Sequence, residues 1–243
     1  MKNHGTCRYC GEFRPLIKAH IFPESFYRPI LDSGEVPTLY STREAEYPRK
    51  APIGVYDTGI LCASCDGAMG LYDDYAKRIL FDTPMEPYPH GPARLIQEYD
   101  YAKLKLFFLT LLWRAGISTH RMFEQVTLGP HEDRLLAMIK AGNPGSSEEY
   151  SVIVMSFDDP CARELGLQVF RARKRGALNY YRFNAAGYTF FIKVDARATV
   201  GAFRQVMLAP GGPLFIVERH WEDSPEYADV LRVVANTTEG KPQ

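Results

Sequence analysis

The chain has 243 residues, 46% of them hydrophobic and 24% charged, and its 29 basic and 29 acidic side chains cancel to a formal net charge of zero. This composition excludes a globally disordered chain, and at this length one large core or two modest ones can be buried. The balanced charge excludes long-range attraction to a polyanion, so a nucleic-acid partner has to be met by a local basic patch.

The first element is a Cys-x-x-Cys pair, Cys7/Cys10, followed by a turn at Gly11-Glu12. Residues 16–22 read as a short strand that ends at Pro23, and the charged, proline-bearing stretch 32–54 reads as a long irregular loop. Ile60-Leu61 leads into a second pair, Cys62/Cys65, and the spacing of Met69, Tyr72, Ala76 and Ile79 predicts a helix from about Cys65 to Phe81. Pro84, Pro87, Pro89 and Pro92 cannot continue it, so 84–92 is expected to link a domain at 1–83 to a second at 93–243.

In the second part, Asp100 is placed to cap a helix running to Gly116, and Pro130 and Gly142 bracket another. From Tyr150 onward the period changes. Residues 151–157, 167–171, 179–184, 188–194 and 214–218 read as strands, with a hairpin at Asn184-Ala185-Ala186-Gly187 and a helix over 196–208 lying across the sheet. The fold class is therefore α+β: an N-terminal zinc module, a helical segment, and a mostly antiparallel sheet with a packed helix. The longest apolar run, 104–113, is about half the roughly 20 residues a bilayer span needs, and Lys105 interrupts it. With no apolar leader before Cys7, the expectation is a cytoplasmic protein that does not enter a membrane.

Four thiolates in two such pairs suit a structural Zn²⁺ better than disulfides in a reducing compartment. The fifth cysteine, Cys161, reads as a small hydrophobe. The basic run Arg171, Arg173, Lys174, Arg175 reads as a solvated hairpin, and the aromatics between Tyr180 and Phe191 as core and cross-strand pairs.

Two knuckles about 50 residues apart, the second opening a helix, describe a treble-clef zinc finger. The stretches Cys7-Arg8-Tyr9-Cys10, Lys18-Ala19-His20-Ile21-Phe22-Pro23 and Asp57-Thr58-Gly59-Ile60-Leu61-Cys62-Ala63-Ser64-Cys65-Asp66 resemble the zinc-stabilised branch of the HNH endonuclease family, over about the first third of the chain. The resemblance implies a nuclease in which His20 is the general base that activates water, Asp57 stands where the family's His-orienting Asn stands, and Asp66 takes the place of the last ligand of a catalytic Mg²⁺ or Mn²⁺. Ala19 occupies the position where the family usually carries a further ligand. Read from the residues alone, His20 also suits a strand-end histidine bonded to backbone, Asp66 a helix N-terminal acid, and Asp57 a turn former before Thr58-Gly59. Lys18, Arg28, Arg49 and Lys50 lie where they would meet a nucleic-acid backbone near His20. The family's association with bacterial defence and mobile elements comes with the resemblance. A second reading is an inactive zinc finger that binds nucleic acid or a partner protein, with 93–243 serving assembly as a homo-oligomer or with another protein.

Overall fold

The computed structural model describes residues 3–32, 34, 38–39, 49–50, 54–159, 162, 168–172, 178–228 and 230–231. Cys161 and Arg173 to Arg175 lie outside the described residues, as do most of the expected loop at 32–54 and the side chain of Lys50.

A short hairpin opens the chain: β1 (His4–Thr6) pairs antiparallel with β2 (Phe13–Pro15), and the first cysteine pair sits in its turn. Next come β3 (Ala19–His20), the short helix α1 (Arg28–Asp32), β4 (Thr38–Leu39), β5 (Arg49–Lys50) and β6 (Tyr56–Asp57). β3 pairs with β6, and β4 with β5. The strand expected over 16–22 is reduced to two residues for a specific reason. The Ile17 amide bonds to the Leu61 carbonyl and Leu16 bridges to Cys62, so this backbone is committed to the second knuckle instead of to a sheet.

Helix α2 (Ala63–Lys77) begins directly after Cys62 and continues through a π-helical turn, Arg78–Asp82, which buries Ile79 and Leu80. The Tyr188 hydroxyl, from the sheet, donates to the Leu80 carbonyl. α3 (Tyr101–Ile117) starts where expected, with the Asp100 carboxylate accepting from the Lys103 amide at 3.0 Å. Gly116 near its end lets Leu128 lie against the helix, since a Cβ there would sit 2.1 Å from a Leu128 methyl. α4 (His131–Lys140) follows Pro130 and closes before Gly142.

The main sheet has strand order β10-β11-β12-β9-β13-β8-β7. Its strands are β7 (Glu86–Pro87), β8 (Ala93–Ile96), β9 (Val152–Phe157), β10 (Gln168–Ala172), β11 (Tyr180–Ala185), β12 (Tyr188–Lys193) and β13 (Leu214–Arg219). All pairs are antiparallel except β13 with β9. The β11–β12 turn uses Ala186 and Gly187 at φ 52° and φ 80°, the double positive φ of a tight hairpin turn matched to strand twist. The helix expected over 196–208 shrinks to α5 (Ala202–Val206), preceded by Gly201 at φ 65°, which α-helical backbone does not adopt.

The proline-rich stretch 84–92, expected as a linker, carries edge strand β7, and the hydrophobic core runs past it without a break. Phe22 packs on Phe183 and Phe190 of the sheet, and Phe26 stacks on Phe107 of α3 with ring centroids 5.6 Å apart. The first third of the chain and the rest therefore bury one another's apolar faces. No helix of the described residues is long and apolar enough to cross a membrane.

Candidate functional site

The two knuckles are brought together by backbone. The Arg8 amide bonds to the Ile60 carbonyl at 2.8 Å, the Gly11 amide closes back on Cys7, and the Cys62 amide donates to Cys7 Sγ at 3.4 Å. As a result the sulfurs of Cys7, Cys10, Cys62 and Cys65 all lie within 4.8 Å of one another, and all four are free thiols. A tetrahedral zinc with Zn–S bonds of about 2.3 Å sets its sulfurs about 3.8 Å apart. The donor set and its spread fit a metal ion such as zinc.

The thiols do not hold their protons equally. The Ser64 hydroxyl, with the Cys65 amide and neighbouring thiols, outweighs burial and holds Cys62 down at about 6, while burial and the hydrogen bonds of its neighbours push Cys65 well up. Keeping all four as thiolates therefore calls for a cation at their centre. The assembly is anchored on the helices as well: Tyr9 packs edge-on against Trp113 of α3, and Arg8 pairs with Glu132 of α4 at 2.6 Å.

Beside this cluster stands a second constellation. His20 ends β3, Asp66 lies in the first turn of α2, and Asp73 lies two turns further along the same face. Arg114, fully buried in α3, joins them. Its Nη1 and Nη2 bind both oxygens of Asp73 at 2.9 and 2.7 Å, and Nη1 also donates to the His20 carbonyl at 3.2 Å. Burial raises the pKa of Asp66 above the ordinary carboxylate value, with Arg114 opposing, Asp73 adding and His20 opposing. His20 and Asp66 thus share one electrostatic environment. Among the described residues, however, they do not join a third His, Cys, Asp or Glu in a group able to hold a metal ion; the four cysteines alone do.

Asp57 stands opposite Ala19 in the β3–β6 pair, on the strand beside His20, and its carboxylate is held by the fold. Its carboxylate accepts from the Gly59 amide at 2.8 Å, the Ser118 hydroxyl at 3.0 Å, and the Thr119 amide and hydroxyl at 2.6 and 2.9 Å. Three of these bonds fall on Oδ2 and one on Oδ1. Burial raises its pKa, but these donors outweigh it, so the group lies below the usual range. The side chain staples the 57–59 turn to the end of α3. Asp57→Ala is expected to cost about 2 kcal/mol, because it strands buried donors. The contribution is present above the unfolded carboxylate pKa and lost as pH falls through the depressed folded value. Urea unfolding at pH 7 and pH 3 checks both statements: the gap between wild type and variant should narrow at the lower pH.

Of the basic residues expected near His20, Lys18 is exposed and stands over the Tyr56 ring at 4.9 Å, and the same ring meets His20 edge-on at 6.2 Å. Arg28 is exposed at the start of α1. The residue that sequence reasoning missed is Arg114. A signal was present: a charge inside an otherwise apolar helix has to be paired when that helix is buried. No family model, curated protein or solved structure matches this chain.

Proposed function

We propose that this chain is a metal-dependent endonuclease of the HNH type, in which a treble-clef module around a four-cysteine zinc ion presents His20 to a phosphodiester. The observation that carries this reading is the placing of His20 and Asp66 in one electrostatic environment directly beside the cysteine cluster. His20 is the general base that takes a proton from the attacking water. Asp66 offers a hard oxygen ligand. Mg²⁺ or Mn²⁺ bound there would neutralise charge on the scissile phosphate and the leaving oxygen. Lys18, exposed beside the same ring as His20, is positioned to contact the backbone of a nucleic acid.

The test uses supercoiled plasmid, linear duplex and single-stranded DNA and RNA with Mg²⁺ or Mn²⁺. His20→Ala is expected to lose at least about 100-fold in cleavage rate, in keeping with loss of a general base. Equal cutting by the variant, or none by the wild type with every substrate and metal, overturns the reading.

One observation favours the second reading, an inactive module that binds nucleic acid or a partner protein. Ala19 is buried where a further ligand would stand, and Arg114 engages both oxygens of Asp73. Nucleic-acid affinity without cutting in the same assays selects it.

A further inference from the structure

The main sheet has a second face, turned away from α3, and it carries polar groups that a core face excludes. β11 places Arg182 and Asn184 there, with Phe191 and Thr189 of β12 directly opposite them. Arg219, at the end of β13 opposite Phe157, lies over the Phe157 ring at 4.8 Å. Its Nη2 donates to the Thr189 hydroxyl at 2.8 Å and to Glu226 Oε1 at 3.1 Å, and Nη1 donates to Glu226 Oε2 at 3.4 Å. Arg182 Nη1 stands 3.4 Å from the same Glu226 Oε1. Among the described residues, two guanidinium groups thus face one carboxylate.

The hydrogen bonding of this set is incomplete. Asn184 is 7% exposed, yet both its amide nitrogen and its amide oxygen are buried without a hydrogen-bond partner, and so is Arg219 Nε. A buried amide with neither end satisfied is rare and calls for an occupant. Opposite Asn184 the Thr189 hydroxyl already serves Arg219, so the open groups are two donor atoms, Asn184 Nδ2 with two N–H and Arg219 Nε with one, and one acceptor atom, Asn184 Oδ1. The matching occupant is a small anion rich in acceptor oxygens that also carries one O–H. Hydrogen phosphate has that pattern. Sulfate, with the same shape, has no proton to give at neutral pH.

We propose that Arg182, Asn184, Thr189 and Arg219 form a binding site for a singly protonated phosphate group, free or as a terminal monoester, with Glu226 facing the same guanidinium groups. The site is separate from His20 and does not rest on the nuclease reading.

Isothermal titration and thermal unfolding of the full chain in phosphate-free buffer test it, with inorganic phosphate, a 5′-phosphorylated dinucleotide and sulfate as probes. The expected result is that at least one phosphate probe binds and raises the unfolding temperature, with sulfate at least tenfold weaker. The tighter of the two phosphate probes identifies the source. Asn184→Leu should weaken phosphate binding at least 30-fold while leaving the phosphate-free unfolding temperature unchanged or higher, because it replaces an unsatisfied buried amide. Glu226→Gln should tighten phosphate binding at least tenfold by removing the competing negative charge. No binding of either phosphate probe, equal binding of sulfate, or unchanged phosphate affinity in Asn184→Leu overturns the proposal. If Asn184→Leu does not fold, the amide is structural and the proposal falls unless Glu226→Gln shows the tightening.

Discussion

Cys62→Ser is expected to abolish binding of one zinc ion per chain and to lower the unfolding temperature by at least about 10 °C, as is removal of metal from the wild type by a chelator. The size follows from two facts. Structural zinc in a four-thiolate site contributes about 10 kcal/mol or more in small modules, and for a chain of this length each kcal/mol corresponds to roughly 2–4 °C. Even half of that contribution meets the threshold. Cys62 is a clean choice because the backbone that joins the two knuckles there survives the substitution, so the loss reads the sulfur. Its amide donates to Cys7 Sγ, its backbone bridges to Leu16, and its carbonyl accepts from the Asp66 amide at the start of α2. Ile60, Leu61 and Cys62 also belong to the same core as Phe22, Phe107 and Phe190. Losing the metal therefore loosens a surface on which the sheet itself packs, and a single broad loss of cooperativity is expected in place of an isolated melting of the first 80 or so residues. Elemental analysis and calorimetry read the two effects. A wild-type chain that carries no metal, or an apoprotein with an unchanged transition, overturns the expectation.

The cysteine cluster was legible because its geometry is local: a two-residue spacer fixes each half, and only the pairing of the halves is long-range. The same holds for α3 and α4, whose ends are set by Asp100, Pro130 and Gly142, and for β9, β11, β12 and β13, whose period-2 pattern is carried by residues a few positions apart. What resisted reading depends on partners far along the chain. Asp57 finds Ser118 and Thr119, and Arg114 finds Asp73 and the His20 carbonyl, through packing of α3 on α2 that no local pattern encodes. The strand at 16–22 was over-read for the same reason, since the knuckle at Leu61 and Cys62 takes its backbone. β7 and β8 were missed because prolines dominate the stretch before them and β8 depends on pairing with β13, over 100 residues away. The Arg182–Glu226 pairing likewise joins a strand to a segment some 40 residues later.

Lys105 carries the other large expectation. It interrupts the apolar run that announced α3, and it is 0% exposed. Its Nζ donates to the Glu149 carbonyl at 2.9 Å. The charges facing it are Glu149 and Glu148, which favour its protonated form, and Lys193, which opposes it; Lys193 itself is held by the Arg197 carbonyl at 2.7 Å and by Glu148 at 3.4 Å. Burial outweighs the two acids and brings Lys105 down to about 7. In the unfolded chain it titrates near 10.4. Between these values the unfolded state binds the extra proton and the folded state does not, so stability rises with pH across that window. From pH 6.5 to pH 9 the gain is expected to be about 3 kcal/mol, at most 1.4 kcal/mol per pH unit. The upper limit of pH 9 keeps clear of Tyr99, Tyr101 and Tyr150, which burial raises to about 12 and whose unfolded-state ionisation destabilises the fold above about pH 10. Lys105→Met keeps an unbranched stem one atom shorter and removes the charge. It should flatten the dependence and, at pH 6.5, exceed the wild type by about 3 kcal/mol, because an apolar group replaces a desolvated ammonium. Urea midpoints of both proteins at pH 6.5, 7.5 and 9 decide the matter. A flat wild-type profile, or a variant weaker at every pH, would show that the ammonium is charged and well satisfied where it lies.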